Sequence, residues 1–248
     1  MTQTARPDLR RPTVVLVHGA WHGPWCWDDL RPRLERLGWR TTAPQLPSAS
    51  GTAGTGTAGT GSEPSPGLYD DARALARHIE AIGGPVVLVG HSYGGAPVTE
   101  VAGGRAGPVA QLIYVAAYQL DVGESLFTAH GAPVPDDVTG MVPVPDDPTS
   151  IFYNDVDPDA AARAVARLVP QTVRSWSEHV RTAGWRTIPA TYLLCEKDQA
   201  LAPAMQEKFA LRAGSLRRLA SGHSPFLSMP DELADVLDQT LLNQETNA

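Results

Sequence analysis

At 248 residues and 42% hydrophobic, the chain can bury one sizeable core, and one α/β domain with an insertion fits better than two equal domains. A net charge of −7 without a long basic run argues against nucleic acid or an anionic membrane surface as partner, and no apolar stretch approaches a membrane span. Residues 1–12 lack the apolar core of a signal peptide, and the two cysteines, Cys26 and Cys195, suggest neither a disulfide framework nor a metal-binding spacing, so a cytoplasmic protein with reduced thiols is expected.

Thr13-Val14-Val15-Leu16-Val17 has the composition of a buried strand. It runs into His18-Gly19-Ala20-Trp21-His22-Gly23-Pro24-Trp25, a glycine-bearing loop whose backbone N–H groups can approach a developing oxyanion. Trp27, Leu30, Leu34 and Leu37 recur at helical spacing and predict a helix over 27–37, with Asp28 and Asp29 in its first turn and Gly38 at its end. Residues 40–43 read as a short strand stopped by Pro44 and Pro47. Residues 48–67 are low in complexity and have almost nothing to bury, which predicts a mobile surface loop. Asp70 or Asp71 is expected to cap the next helix, whose buried face carries Leu75, His78, Ile79 and Ile82.

The stretch Pro85-Val86-Val87-Leu88-Val89-Gly90-His91-Ser92-Tyr93-Gly94-Gly95 organises the chain. It begins as a buried strand and ends in Gly90-x-Ser92-x-Gly94 before a helix over 96–102. Such a turn is tight enough that a Cβ at either glycine position would strike backbone, and it holds the serine hydroxyl proud at a helix N-terminus. The next strand is 111–115. Residues 116–184 then depart from strand–helix alternation and read as an insertion over the sheet, with helices near 158–169 and around Trp176. Phe127, Phe152, Trp176 and Trp185 there, with Trp21, are candidates to line an apolar pocket. The sheet resumes at 190–195, followed by Glu196-Lys197-Asp198, a helix over 203–211, a strand over 216–219 and a closing helix over 230–242. Strands separated by helices predict a mostly parallel, doubly wound sheet.

A serine hydroxyl needs a base to take its proton as it attacks, and the base needs a carboxylate to orient it. Of the seven histidines, only His223 follows the late strand that ends in candidate acids. Asp198, just past that strand, is the leading acid. Glu196 and Asp121 are its rivals.

The combination Val17-His18-Gly19-Ala20-Trp21-His22-Gly23-Pro24-Trp25-Cys26-Trp27, Gly90-His91-Ser92-Tyr93-Gly94-Gly95, Asp198 and Gly222-His223 resembles the small α/β-hydrolase esterases. More narrowly it is similar to the branch holding plant methyl esterases, hydroxynitrile lyases and bacterial EstC-like esterases. The resemblance implies an α/β-hydrolase fold with a core over 1–117 and 186–248 and a helical cap over 118–185, inserted after the strand at 111–115. It also implies catalytic Ser92, Asp198 and His223, an oxyanion hole made by the backbone N–H groups of Ala20 and Tyr93, and no metal or organic cofactor. The lyases of that branch carry a threonine where this chain has Gly19, and a lysine where it has Ser224. Their absence favours hydrolysis of small, apolar carboxylic esters. A lyase-like or polyketide-tailoring enzyme, and more remotely a ligand receptor, are the alternatives.

Overall fold

The computed structural model describes residues 11–49, 65–104 and 109–247. Among the described residues eight strands lie in chain order: β1 (Thr13–Val17), β2 (Thr41–Thr42), β3 (Val86–His91), β4 (Val109–Val115), β5 (Met141–Val142), β6 (Gln171–Thr172), β7 (Ala190–Cys195) and β8 (Ser215–Leu219). Six of them form one sheet in the order β2-β1-β3-β4-β7-β8, and every neighbouring pair in it is parallel. Parallel strands need crossovers, which cover both faces and exclude water from both. That is why these strands are almost unbroken apolar runs.

Alternation along each strand divides the core into two layers. Val15, Val17, Leu88, Leu112 and Tyr114 point to one side, with Leu75 and Ile79 of the helix Leu68–Ile82. Val14, Leu16, Val89, Ile113 and Val115 point to the other, with Trp27, Leu34, Leu233 and Leu237. From β1 the chain adds β2 on one side and then crosses to place β3 on the other. Such a reversal opens a crevice at the carboxyl ends of the two strands it separates. Those ends are level here, because Val17 pairs with Gly90.

Several predicted elements shift. The helix over 27–37 is a 3-10 turn at Pro24–Trp27 followed by an α-helix at Arg31–Arg36, with Pro32 in the first turn of the latter. Proline has no N–H to give, so the helix starts around it, and Asp28 and Asp29 precede the helix. The helix Leu68–Ile82 is entered at Gly67, whose N–H donates to the Asp70 carboxylate at 2.8 Å. Asp71 instead turns into the core. Of the low-complexity stretch, residues 50–64 lie outside the described residues, but Ser48 and Ala49 at its start are buried. The inserted cap is not helical throughout, because β5 and β6 pair as a short antiparallel ribbon. Among the described residues, no helix is long and apolar enough to cross a membrane.

A Cβ on Gly94 would lie 2.5 Å from the His18 carbonyl oxygen and 2.6 Å from that of Val17. Both oxygens belong to backbone at and just past the end of β1, so relief requires moving that backbone or the turn itself. Gly94→Ala is therefore expected to destabilise the protein by about 3 kcal/mol, read from the shift of the urea midpoint.

Candidate active site

β3 ends in a 3-10 turn at Ser92–Gly94, which continues into the helix Gly95–Gly103. Ser92 has φ 51°, in the left-handed region, which L residues with a Cβ seldom adopt. Tight packing of the turn enforces it. A Cβ on Gly90 would come within 2.9 Å of the Gly94 carbonyl oxygen, and the Ser92 carbonyl is held by the Tyr118 N–H at 3.0 Å.

β7 and the turn after β8 bring in the other two groups. His223 Nδ1 lies 2.8 Å from Asp198 Oδ2, and both residues are buried. A carboxylate only accepts, so the imidazole carries its proton on Nδ1 and leaves Nε2 free as a base. Asp198 is fixed by Ala200 N–H at 2.7 Å and Leu201 N–H at 2.9 Å on Oδ1, and by Gln206 Nε2 at 2.9 Å on Oδ2. The rivals are occupied elsewhere. Asp121 pairs with Arg186, and Glu196 lies 3.8 Å from Arg218. No hydrogen bond joins the Ser92 hydroxyl to His223. The two residues share the lining of one cavity, and catalytic hydrogen bonds commonly close only around a substrate.

Three further histidines act as braces. His18 Nδ1–H donates to the Gly19 carbonyl at 2.9 Å while its Nε2 accepts from Leu46 N–H at 3.1 Å. In a trans peptide the N–H points opposite to the carbonyl, so pinning Gly19 O on one side turns Ala20 N–H to the other. His22 Nδ1–H donates to the Ala20 carbonyl at 2.8 Å, and its Nε2 accepts from Tyr153 O–H at 2.8 Å. His91 Nε2–H donates to the backbone carbonyl of His223 at 2.9 Å, their rings 4.6 Å apart. The His91 Nδ1 is therefore bare, buried and without a partner. Tyr93 N–H lies in the first turn of its helix, where no intrahelical acceptor exists.

The cavity measures about 470 Å³ and is lined by Ala20, Ser92, Tyr93 and His223 on the core side. Trp21, Phe127, Phe152 and Trp176 of the predicted pocket line it as well, with Leu126, Ile151 and Leu201. Trp185 does not. Its Nε1–H donates to the Leu120 carbonyl at 2.8 Å, and the turn carrying it packs on Ala102 and Gly103. That is the end of the helix Gly95–Gly103 opposite Ser92, about 13 Å away along the axis. Tyr118 and His130, joined at 2.7 Å, are polar lining groups that no sequence signal singled out. Nor did any signal mark Gln206. Among the described residues, no three His, Cys, Asp or Glu side chains gather as a metal-binding cluster.

Parallel strands feeding helices on both faces, with a serine lifted from a sharp strand-to-helix turn beneath an inserted cap, are the architecture of the α/β hydrolases. The chain belongs to the Alpha/beta hydrolase family, whose model matches residues 14–236. It is similar to the alpha/beta hydrolase nvfD of Aspergillus novofumigatus, at 32% identity over 244 residues, covering 90% of this chain and 94% of that protein. Methylesterase 9 of Arabidopsis thaliana is 24% identical over 251 residues, covering 90% and 95% of the two chains. The crystal structure of the methylesterase protein MES16 from Arabidopsis has the same fold, with a TM-score of 0.75 at 23% identity over 93% of this chain and 98% of the other.

Burial holds the His18 pKa down to about 4, His22 to about 3, and His91 well below the ordinary value near 6.5. Below pH 6.5 the unfolded chain takes up protons that these folded sites refuse, so their stabilisation is complete above that pH and lost as it falls. Asp71, raised by burial to about 7, works in the opposite direction between pH 4 and 7, because there the folded state holds the extra proton. With the histidines outnumbering it, stability is expected to fall by about 3 kcal/mol per unit between pH 6 and 5. Urea midpoints across that range test this, and Asp71→Asn is expected to steepen the fall.

Proposed function

We propose that the protein is a serine hydrolase that cleaves small, apolar carboxylic esters through an acyl-enzyme. The observation that carries this reading is the strained Ser92 sharing one apolar cavity with His223, whose ring is held by Asp198. His223 Nε2 removes the Ser92 proton as Oγ attacks the ester carbonyl carbon. The tetrahedral oxyanion forms against the amides of Ala20 and Tyr93, each donor being worth about 3 kcal/mol in such sites. His223 returns the proton to the departing alcohol, then takes one from water, whose oxygen attacks the acyl carbon and frees the acid and Ser92. Asp198 holds the imidazole in the needed tautomer and stabilises its cation.

Two features weigh against cyanohydrin cleavage. A side chain at Gly19 would lie 2.9 Å from both His91 Nδ1 and Ser92 Cβ, which leaves no room for the lyases' threonine. Ser224, where they carry a lysine, is buried and outside the cavity lining. The aromatic walls favour flat or compact acyl and alcohol groups over long lipids. Methylesterase relatives are consistent with a small alcohol leaving group.

Ser92→Ala is expected to fold normally and to lose turnover of p-nitrophenyl acetate to background. Asp198→Asn should retain binding and lower kcat by about 10³- to 10⁴-fold. Full turnover by the Ser92 variant would refute the reading.

A further inference from the structure

Trp21 follows the proposed oxyanion donor Ala20 and sits at φ 61°, a backbone conformation that a bulky residue keeps only when its surroundings impose it. What imposes it comes from the cap. Trp21 N–H donates to Gln171 Oε1 at 3.3 Å, its carbonyl accepts from Val169 N–H at 2.9 Å, and its indole N–H donates to the Val142 carbonyl at 3.2 Å. Tyr153, also from the cap, holds His22 against the Ala20 carbonyl.

Gln171 also reaches toward the other donor. Its Nε2 donates to Ser48 Oγ at 2.6 Å and to Ser175 Oγ at 3.0 Å. Ser48 O–H donates to Asp71 Oδ2 at 2.5 Å, and Tyr93 O–H donates to the same oxygen at 2.5 Å. Ser48 N–H completes the carboxylate's contacts at 2.9 Å on Oδ1. With Asp71 ionised, above pH about 7, every donor in this run has an acceptor, and the directions agree from the Gln171 amide to the carboxylate. Gln171, Asp71 and Tyr93 are 0% exposed, so no water replaces a partner that is removed.

We propose that Gln171 is a positioning residue of the oxyanion hole, through which the cap sets the Ala20 and Tyr93 amides relative to one another. The proposal rests on the hydrolytic reading above. It makes the hole a product of two parts of the chain: the core supplies both donors, and the cap, through one buried side-chain amide, fixes their separation and aim. Because the amides it aims interact most strongly once charge has developed on the carbonyl oxygen, its loss disturbs the transition state more than the bound ester.

Gln171→Met keeps the side-chain volume and removes both polar ends. Its kcat for p-nitrophenyl acetate, per site labelled by a fluorophosphonate, is expected to fall about tenfold with KM within about twofold of wild type. Inhibition by a phenyl trifluoromethyl ketone, whose hemiketal oxygen would occupy the hole, should weaken by the same factor. A merely structural role would lower the labelled fraction and the melting temperature, and leave kcat per labelled site unchanged. Ser48→Ala deletes a single oxygen from the link and is expected to act in the same direction; it decides the matter if Gln171→Met does not fold. Wild-type kcat and ketone inhibition in the folded variant would overturn the proposal and leave the hydrolytic reading standing. Full turnover by Ser92→Ala would instead remove that reading and the proposal with it.

Discussion

The close approach of two backbones governs this site. β1 and β3 run side by side with their ends level, and the turn after β3 presses Gly94 against the carbonyls of Val17 and His18. Only a residue without a side chain permits that distance. With Gly94 seated, Ser92 is driven into the left-handed region and its neighbour Tyr93 is brought beside the loop that carries Ala20. The placing of Ser92 on the cavity and of Tyr93 near Ala20 in its wall thus follow from one steric fact. The strain at Ser92 is a small cost spread over a turn that the parallel sheet already holds rigid.

Electrostatics then sort the imidazoles. His18, His22 and His91 are buried, neutral and used as braces, each donating one N–H to a backbone carbonyl of the site. Desolvation keeps them uncharged, which is what lets their second nitrogens accept a hydrogen bond or stay bare. His223 differs by facing a carboxylate and by opening onto the cavity. The same side chain therefore serves as scaffold in three places and as candidate base in one, and the distinction lies wholly in its partners.

How much of this the sequence discloses depends on whether a residue's role is local. β1, β3, β4 and β7 are legible because strands buried on both faces become apolar runs, and the turn at Ser92 is legible because its glycines are sterically required. His223 stands out through chain order alone. Gln206 and Gln171 are invisible, because a glutamine's partners are set by tertiary placement and leave no periodic trace. Asp71 left a trace that was open to reading: it lies three residues after Leu68 and four before Leu75, on the buried stripe of its helix. Its neighbour Asp70 masked it, since acids near a helix start read naturally as caps. Trp185 misled for the converse reason. An indole's size reports that it will be covered, and nothing about which surface covers it.

The bare Nδ1 of His91, lying against the Cα side of Gly19, couples two positions of the chain. A side chain at 19 would strike both the His91 ring and the Ser92 Cβ; shrinking residue 91 relieves only the first contact and gives up the hold on the His223 carbonyl. Position 19 is thus closed from two sides, by the ring that braces the His223 turn and by the serine's own Cβ, so a hydroxyl cannot be introduced there without rebuilding both.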